Sequence, residues 1–117
     1  MNNIQLHSRT GIEKIALPTS DGFEFVHVNN IVLLQAESNY TWVHLEDKKY
    51  LIAKTLKEMS SMIPFPQFFR AHKSHLVNLN HVAKYIRGSG GYLVLDTGEQ
   101  VAVSRGQKEA LMRVLNV

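Results

Sequence analysis

The sequence contains no cysteine. That absence excludes a disulfide framework, thiolate-ligated zinc and a cysteine nucleophile, and it fits a reducing compartment. Proline is scarce, at three residues, and tryptophan occurs once. No apolar run approaches the ~20 residues of a membrane-spanning helix, and Met1-Asn2-Asn3 lacks a signal-peptide pattern. A cytoplasmic location without membrane contact is therefore expected. Acidic residues are also missing where cations gather. From Lys48 to Arg87 the cations are Lys48, Lys49, Lys54, Lys57, Arg70, Lys73, Lys84 and Arg87, against the single acid Glu58. One-sided positive charge is the footprint of nucleic acid or another polyanion; a merely solvated basic face is the blander alternative.

The 117 residues suffice for one domain, and the 44% hydrophobic content supports a real core. Residues 1–12 are polar and aperiodic and read as a frayed N-terminal segment or linker. A domain is expected over 13–117. Short β-rich segments follow one another: Lys14 to Leu17, ended by Pro18; Phe23 to Val28; the continuous apolar run Ile31 to Leu34; Tyr40 to Leu45; and Tyr50 to Ala53. Thr55-Leu56-Lys57-Glu58 fits a helix capping box, with Leu56, Met59, Met62 and Ile63 on one face and Pro64 and Pro66 as stops. Strands resume at Leu76 to Leu79 and Val82 to Arg87. Gly88-Ser89-Gly90-Gly91 reads as a flexible turn. Tyr92 to Leu95 and Val101 to Val103 form a hairpin with Gly98 placed for positive φ. Ser104 and Gln107 suggest a second capping box, opening a terminal helix with Leu111, Val114 and Leu115 on one face. The fold class is mainly β: an elongated, sandwich-like arrangement of short antiparallel strands with two short helices. No helix pair suits a helix-turn-helix, so loops and strand ends must make any contact with nucleic acid.

The stretch Phe68-Phe69-Arg70-Ala71-His72-Lys73-Ser74-His75-Leu76-Val77-Asn78 concentrates the chemistry. Arg70, His72, Lys73 and Ser74 offer donors suited to phosphate or base edges, and the flanking apolar residues anchor them. Arg105 follows a strand and stands at a helix start, where the dipole disfavours a cation unless an anion joins it. Six histidines occur, and His72 and His75 would suit a metal only on a helix, which Phe68, Phe69 and Val77 argue against. Ser38, Ser74 and Ser104 lie in no nucleophile elbow, and the glycine run lacks the tail of a phosphate loop. Neither an enzyme nor a cofactor is expected.

These residues resemble the signature of the LytTR DNA-binding domain, Phe-x-Arg-x-His-x-Ser followed by apolar residues and Asn. Glu37-Ser38-Asn39-Tyr40, Thr55 to Glu58, and Gly98 with Val101-Ala102-Val103-Ser104-Arg105 are similar to further parts of that family, in order over about residues 13–115. The resemblance implies a mainly-β DNA-binding domain of bacterial transcription regulators, acting downstream of two-component signalling, whose loops enter successive major grooves. It implies contacts from Asn39, Tyr40, Arg70, His72, Lys73, Ser74 and the Ser104-Arg105 end. Lys54 is added as a phosphate contact on charge alone. A receiver domain in a full-length protein and copies paired on tandem DNA sites are the further partners implied. The alternative is a non-catalytic module whose basic face meets an acidic protein or anionic surface.

Overall fold

The computed structural model describes residues 13–117, so the 1–12 segment lies outside the described residues. Strands β1 (Lys14–Thr19) and β2 (Gly22–His27) form a hairpin. A central five-stranded antiparallel sheet combines β3 (Ile31–Glu37), β4 (Tyr40–Leu45), β5 (Lys49–Ile52), β6 (Phe68–His72) and β7 (His75–Asn78) in the order β5-β4-β3-β7-β6. Helix α1 (Leu56–Met62) links β5 to β6. A smaller antiparallel sheet takes β8 (Val82–Ile86), β9 (Tyr92–Leu95) and β10 (Gln100–Ala102), and α2 (Lys108–Leu115) closes the chain. The extents, 43 × 32 × 24 Å, make it elongated.

The central sheet is covered on both faces, which is why Ile31 to Leu34 is an unbroken apolar run. Ile31 and Leu34 join Ile15, Leu17, Val43, Leu56 and Met59 in one core, beneath the β1–β2 hairpin and α1. Val32 and Leu33 point the other way, into a core with Val77, Leu93, Leu95, Val101 and Leu111. A strand buried on both faces has no reason to alternate polar with apolar residues, and the register irregularity between Ile31 and Leu33 lets the neighbours Val32 and Leu33 enter the same core.

The first capping box forms: Thr55 Oγ1 accepts from the Glu58 N–H at 3.1 Å, and Glu58 Oε1 accepts from the Thr55 N–H at 2.9 Å. The second does not. Ser104 makes no side-chain cap bond, and α2 begins at Lys108 after a 3-10 turn over Arg105–Gln107. Pro18 does not end β1. It lies within the strand opposite Phe23, where a hairpin with no other sheet partner tolerates the lost N–H.

His81 ties the layers together. Its Nδ1 lies 3.0 Å from both Asp96 carboxylate oxygens, and its Nε2 lies 2.6 Å from the Asn29 carbonyl oxygen. Both partners accept hydrogen bonds, an arrangement that favours a proton on each ring nitrogen and so the cationic imidazole. Burial opposes that charge, but the Asn29 carbonyl and the Asp96 carboxylate outweigh it and raise the affinity for the proton above the ordinary value. A raised folded value stabilises the fold below the unfolded imidazole pKa of about 6.5 and loses that contribution as pH climbs through the folded value. Melting temperature should therefore fall as pH rises from about 6.5 into the alkaline range. Asp96→Asn should flatten that fall. His44 and His75 are both shifted downward, chiefly by burial, so they act below about pH 6.5 and in the opposite sense, destabilising the fold as pH drops.

Candidate nucleic-acid interface

One end of the central sheet gathers the candidate residues. The β6–β7 hairpin turns through Lys73-Ser74, with His72 opposite His75. Neither turn residue has positive φ, so the turn lacks the primed geometry that matches strand twist. Side chains brace it instead. Arg70 donates from Nε to the His72 carbonyl at 3.2 Å and from one terminal nitrogen to the Lys73 carbonyl at 2.7 Å. His72 Nδ1 accepts from the Ser74 N–H at 3.1 Å. With Nδ1 acting as the acceptor, the ring N–H is assigned to Nε2, the nitrogen not engaged by the turn. A register irregularity between Phe69 and His72 absorbs the remaining mismatch. Lys73 stands exposed at the tip. Arg70 thus has a task unforeseen from the sequence: it shapes the turn, and one terminal nitrogen remains for an anion.

The neighbouring segments are locked to this turn. The Ala36 N–H donates to the Ser74 carbonyl at 2.9 Å, which sets the β3–β4 turn alongside. That turn, Ser38-Asn39 between Glu37 and Tyr40, carries Ser38 at φ 56° and exposes Asn39 and Tyr40. Glu37 accepts from the Trp42 indole N–H at 3.1 Å, giving this acid a partner on its own strand pair. Beyond β4, the buried Thr41 hydroxyl donates to the Lys54 carbonyl at 2.8 Å, fixing the chain as it leaves β5.

On the opposite flank, the outer edge of β6 receives the segment after β10. The Ser104 N–H donates to the Ala71 carbonyl at 2.9 Å, and the Gln107 side-chain amide donates to the Arg70 carbonyl at 2.7 Å. Ser104 Oγ also reaches the Ala71 carbonyl at 3.4 Å. These edge carbonyls recruit the residues that would otherwise have capped α2. Arg105, between them, is exposed. Lys54, Asn39-Tyr40, Lys73-Ser74 and Ser104-Arg105 therefore follow one another across a single sheet end, roughly 20–25 Å wide at strand spacing.

The basic block divides in space. Lys48 and Lys49 lie on the β4–β5 connection at the other end, Lys49 over the Trp42 ring at 4.3 Å and Lys48 over Tyr50 at 5.4 Å. Lys108 lies on the Arg105 side, where the chain after β8 packs: its ammonium donates to the Gly88 carbonyl at 3.4 Å. Lys108 lies outside the charge block in sequence, so charge counting gave no sign of it. Behind the turn, His75 Nδ1 is buried with no hydrogen-bond partner, and burial, then His72 and His44, lowers that imidazole's proton affinity. Among the described residues no group of three potential metal ligands converges, and no helix is long and apolar enough to cross a membrane.

The β scaffold thus presents cationic and amide-bearing turns along one edge. The LytTr DNA-binding domain model matches residues 21–116, and the chain belongs to that family. It is 32% identical over 109 residues to the CO-responsive transcriptional regulator RcoM of Rhodospirillum rubrum, covering 91% of this chain and 46% of that protein. It is 26% identical over 114 residues to the sensory transduction protein LytT of Bacillus subtilis, covering 95% of this chain and 47% of LytT. The chain thus spans less than half the length of these relatives. In structure it is similar to the LytTr DNA-binding domain of a Bacillus cereus protein described as a methyl-accepting/DNA response regulator. The TM-score is 0.76 at 27% identity, covering 90% of this chain and 98% of the other.

Proposed function

We propose that this chain binds double-stranded DNA in a sequence-specific way as the effector part of a transcription regulator. It works without catalysis, its turns entering the major groove. The observation that carries the reading is the 2.9 Å bond from the Ser104 N–H to the Ala71 carbonyl, which holds Arg105 beside the Lys73 turn. Arg105 suits guanine, whose O6 and N7 match a guanidinium fork. Lys73, Lys54 and the remaining terminal nitrogen of Arg70 serve phosphates; Asn39, Tyr40, Ser74, Ser104 and the Nε2 proton of His72 supply hydrogen bonds to backbone or base edges. Its similarity to a sensory transduction protein and a CO-responsive transcriptional regulator supports a place downstream of a sensor. A receiver or other sensing domain in the full-length protein, and side-by-side copies on tandem sites, extend this reading.

Salt dependence tests it. Lys54→Ala and Lys73→Ala should each weaken binding and reduce the slope of log K against log salt by about 0.9. Lys49→Ala, at the far end of the sheet, should change the slope little. Equal effects from all three would favour diffuse attraction to any polyanion, as would the lack of a discrete site in selection from a random DNA pool.

A further inference from the structure

We infer that the Gly88–Gly91 loop positions Arg105 for base reading, with Gly90 and Tyr85 as the positioning residues. The inference rests on the proposed role of Arg105. The chain from Val103 to Arg105 is held from two sides. On one side the Ser104 N–H donates to Ala71 in β6; on the other the Val103 N–H donates to the Gly91 carbonyl at 3.0 Å. The loop is itself fixed, because the Tyr85 hydroxyl donates to the Gly90 carbonyl at 2.7 Å. The flexible turn expected from Gly-Ser-Gly-Gly is thus a pinned one.

Its glycines have steric reasons. Gly90 is buried, and a Cβ there would overlap the Val103 carbonyl oxygen and lie 3.1 Å from the Arg105 backbone nitrogen. Gly91 has φ +79°, and a Cβ there would overlap the Tyr85 hydroxyl. Both obstructed atoms at Gly90 belong to backbone, which cannot swing aside as a long side chain does. Any residue but glycine at position 90 must push the Val103–Arg105 backbone off the loop. That displacement would carry the base of the Arg105 side chain with it, although position 90 need touch no DNA. A bidentate contact depends on placement as well as charge, so the discrimination between sites is what such a shift should degrade.

Fluorescence anisotropy on the full chain tests this with a selected cognate duplex and a random duplex. Tyr85→Phe removes one hydroxyl and should lower the cognate-to-random affinity ratio by about 3- to 10-fold, the worth of one hydrogen bond. Gly90→Ala should lower it by roughly 10-fold or more. Neither should change binding to random DNA appreciably, since the cations stay. In an Arg105→Ala background both substitutions should lose their effect on the ratio, which a merely structural role would not produce. If Arg105→Ala collapses the ratio while Tyr85→Phe and a folded Gly90→Ala preserve it, the positioning role is overturned. If Arg105→Ala itself leaves the ratio unchanged, the underlying reading of Arg105 fails instead. Should Gly90→Ala not fold, Tyr85→Phe decides alone: an unchanged ratio rejects the inference, and a reduced one that disappears without Arg105 supports it.

Discussion

Arg105→Ala is expected to reduce affinity for a selected cognate site by about 10- to 100-fold while changing affinity for random DNA by no more than about threefold. The asymmetry follows from the two tasks a guanidinium can perform. As one cation among several it adds a modest share of phosphate attraction, which every duplex receives. As a fork on guanine it contributes about 1–3 kcal/mol that only the right base pair returns. Arg105 is exposed and takes part in none of the ion pairs among the described residues, so its removal should leave the melting temperature close to that of the parent. Arg105→Lys separates the tasks further: it keeps the charge and loses the fork. Binding to random DNA should survive in this variant, with discrimination still reduced. Equal losses on cognate and random duplexes would assign Arg105 to the phosphate backbone.

Asn78→Ala is expected to destabilise the fold by about 2–5 kcal/mol, lowering the melting temperature by roughly 10–25 °C in a domain of this size. Asn78 belongs to the signature stretch, yet it is fully buried. Its amide donates to the Ile31 carbonyl at 2.9 Å, and its carbonyl oxygen accepts from the Asn80 N–H at 2.9 Å. One side chain thereby joins the end of β7 to the start of β3 and forms the 3-10 turn into β8. Alanine would withdraw both bonds and leave a small void, whereas the edge proposed to face DNA lies at the opposite end of β7. A variant still folded at low temperature should therefore retain its cognate-to-random ratio, as equilibrium melts paired with anisotropy can establish. A lost ratio at full stability would move Asn78 into the binding surface.

Much of this was readable from the chain because local rules suffice there. The Thr55–Glu58 box closes within four residues, so its partners are set by sequence spacing. Gly98, at φ 94°, occupies the turn position its hairpin requires. Ser104 and Gln107 show the same spacing with a different outcome. The outer edge of β6 offers the unpaired carbonyls of Arg70 and Ala71, and those distant acceptors take the donors that the pattern assigns to α2. The same limit governs the basic block. Lys48 and Lys49 are close to Lys54 in sequence, but a strand separates them and carries them to the other end of the sheet. Arg70 likewise reads as a cation for DNA, because nothing in its spacing reveals that the turn beside it needs bracing. The glycine run looked mobile by composition; its rigidity comes from Tyr85, Val103 and Lys108, which only the folded chain brings together.

The central claim is that one sheet end, built from four separated segments, is the surface that meets DNA. Backbone amide shifts of isotope-labelled protein, followed by NMR while a selected cognate duplex is added, test it most directly. The largest changes are expected at Asn39-Tyr40, Lys54, Arg70 to Ser74 and Ser104-Arg105, with the exposed Phe23 and Phe25 of the β1–β2 hairpin essentially still. Changes centred on that hairpin or on the Lys48-Lys49 turn, with the four segments unmoved, would contradict it.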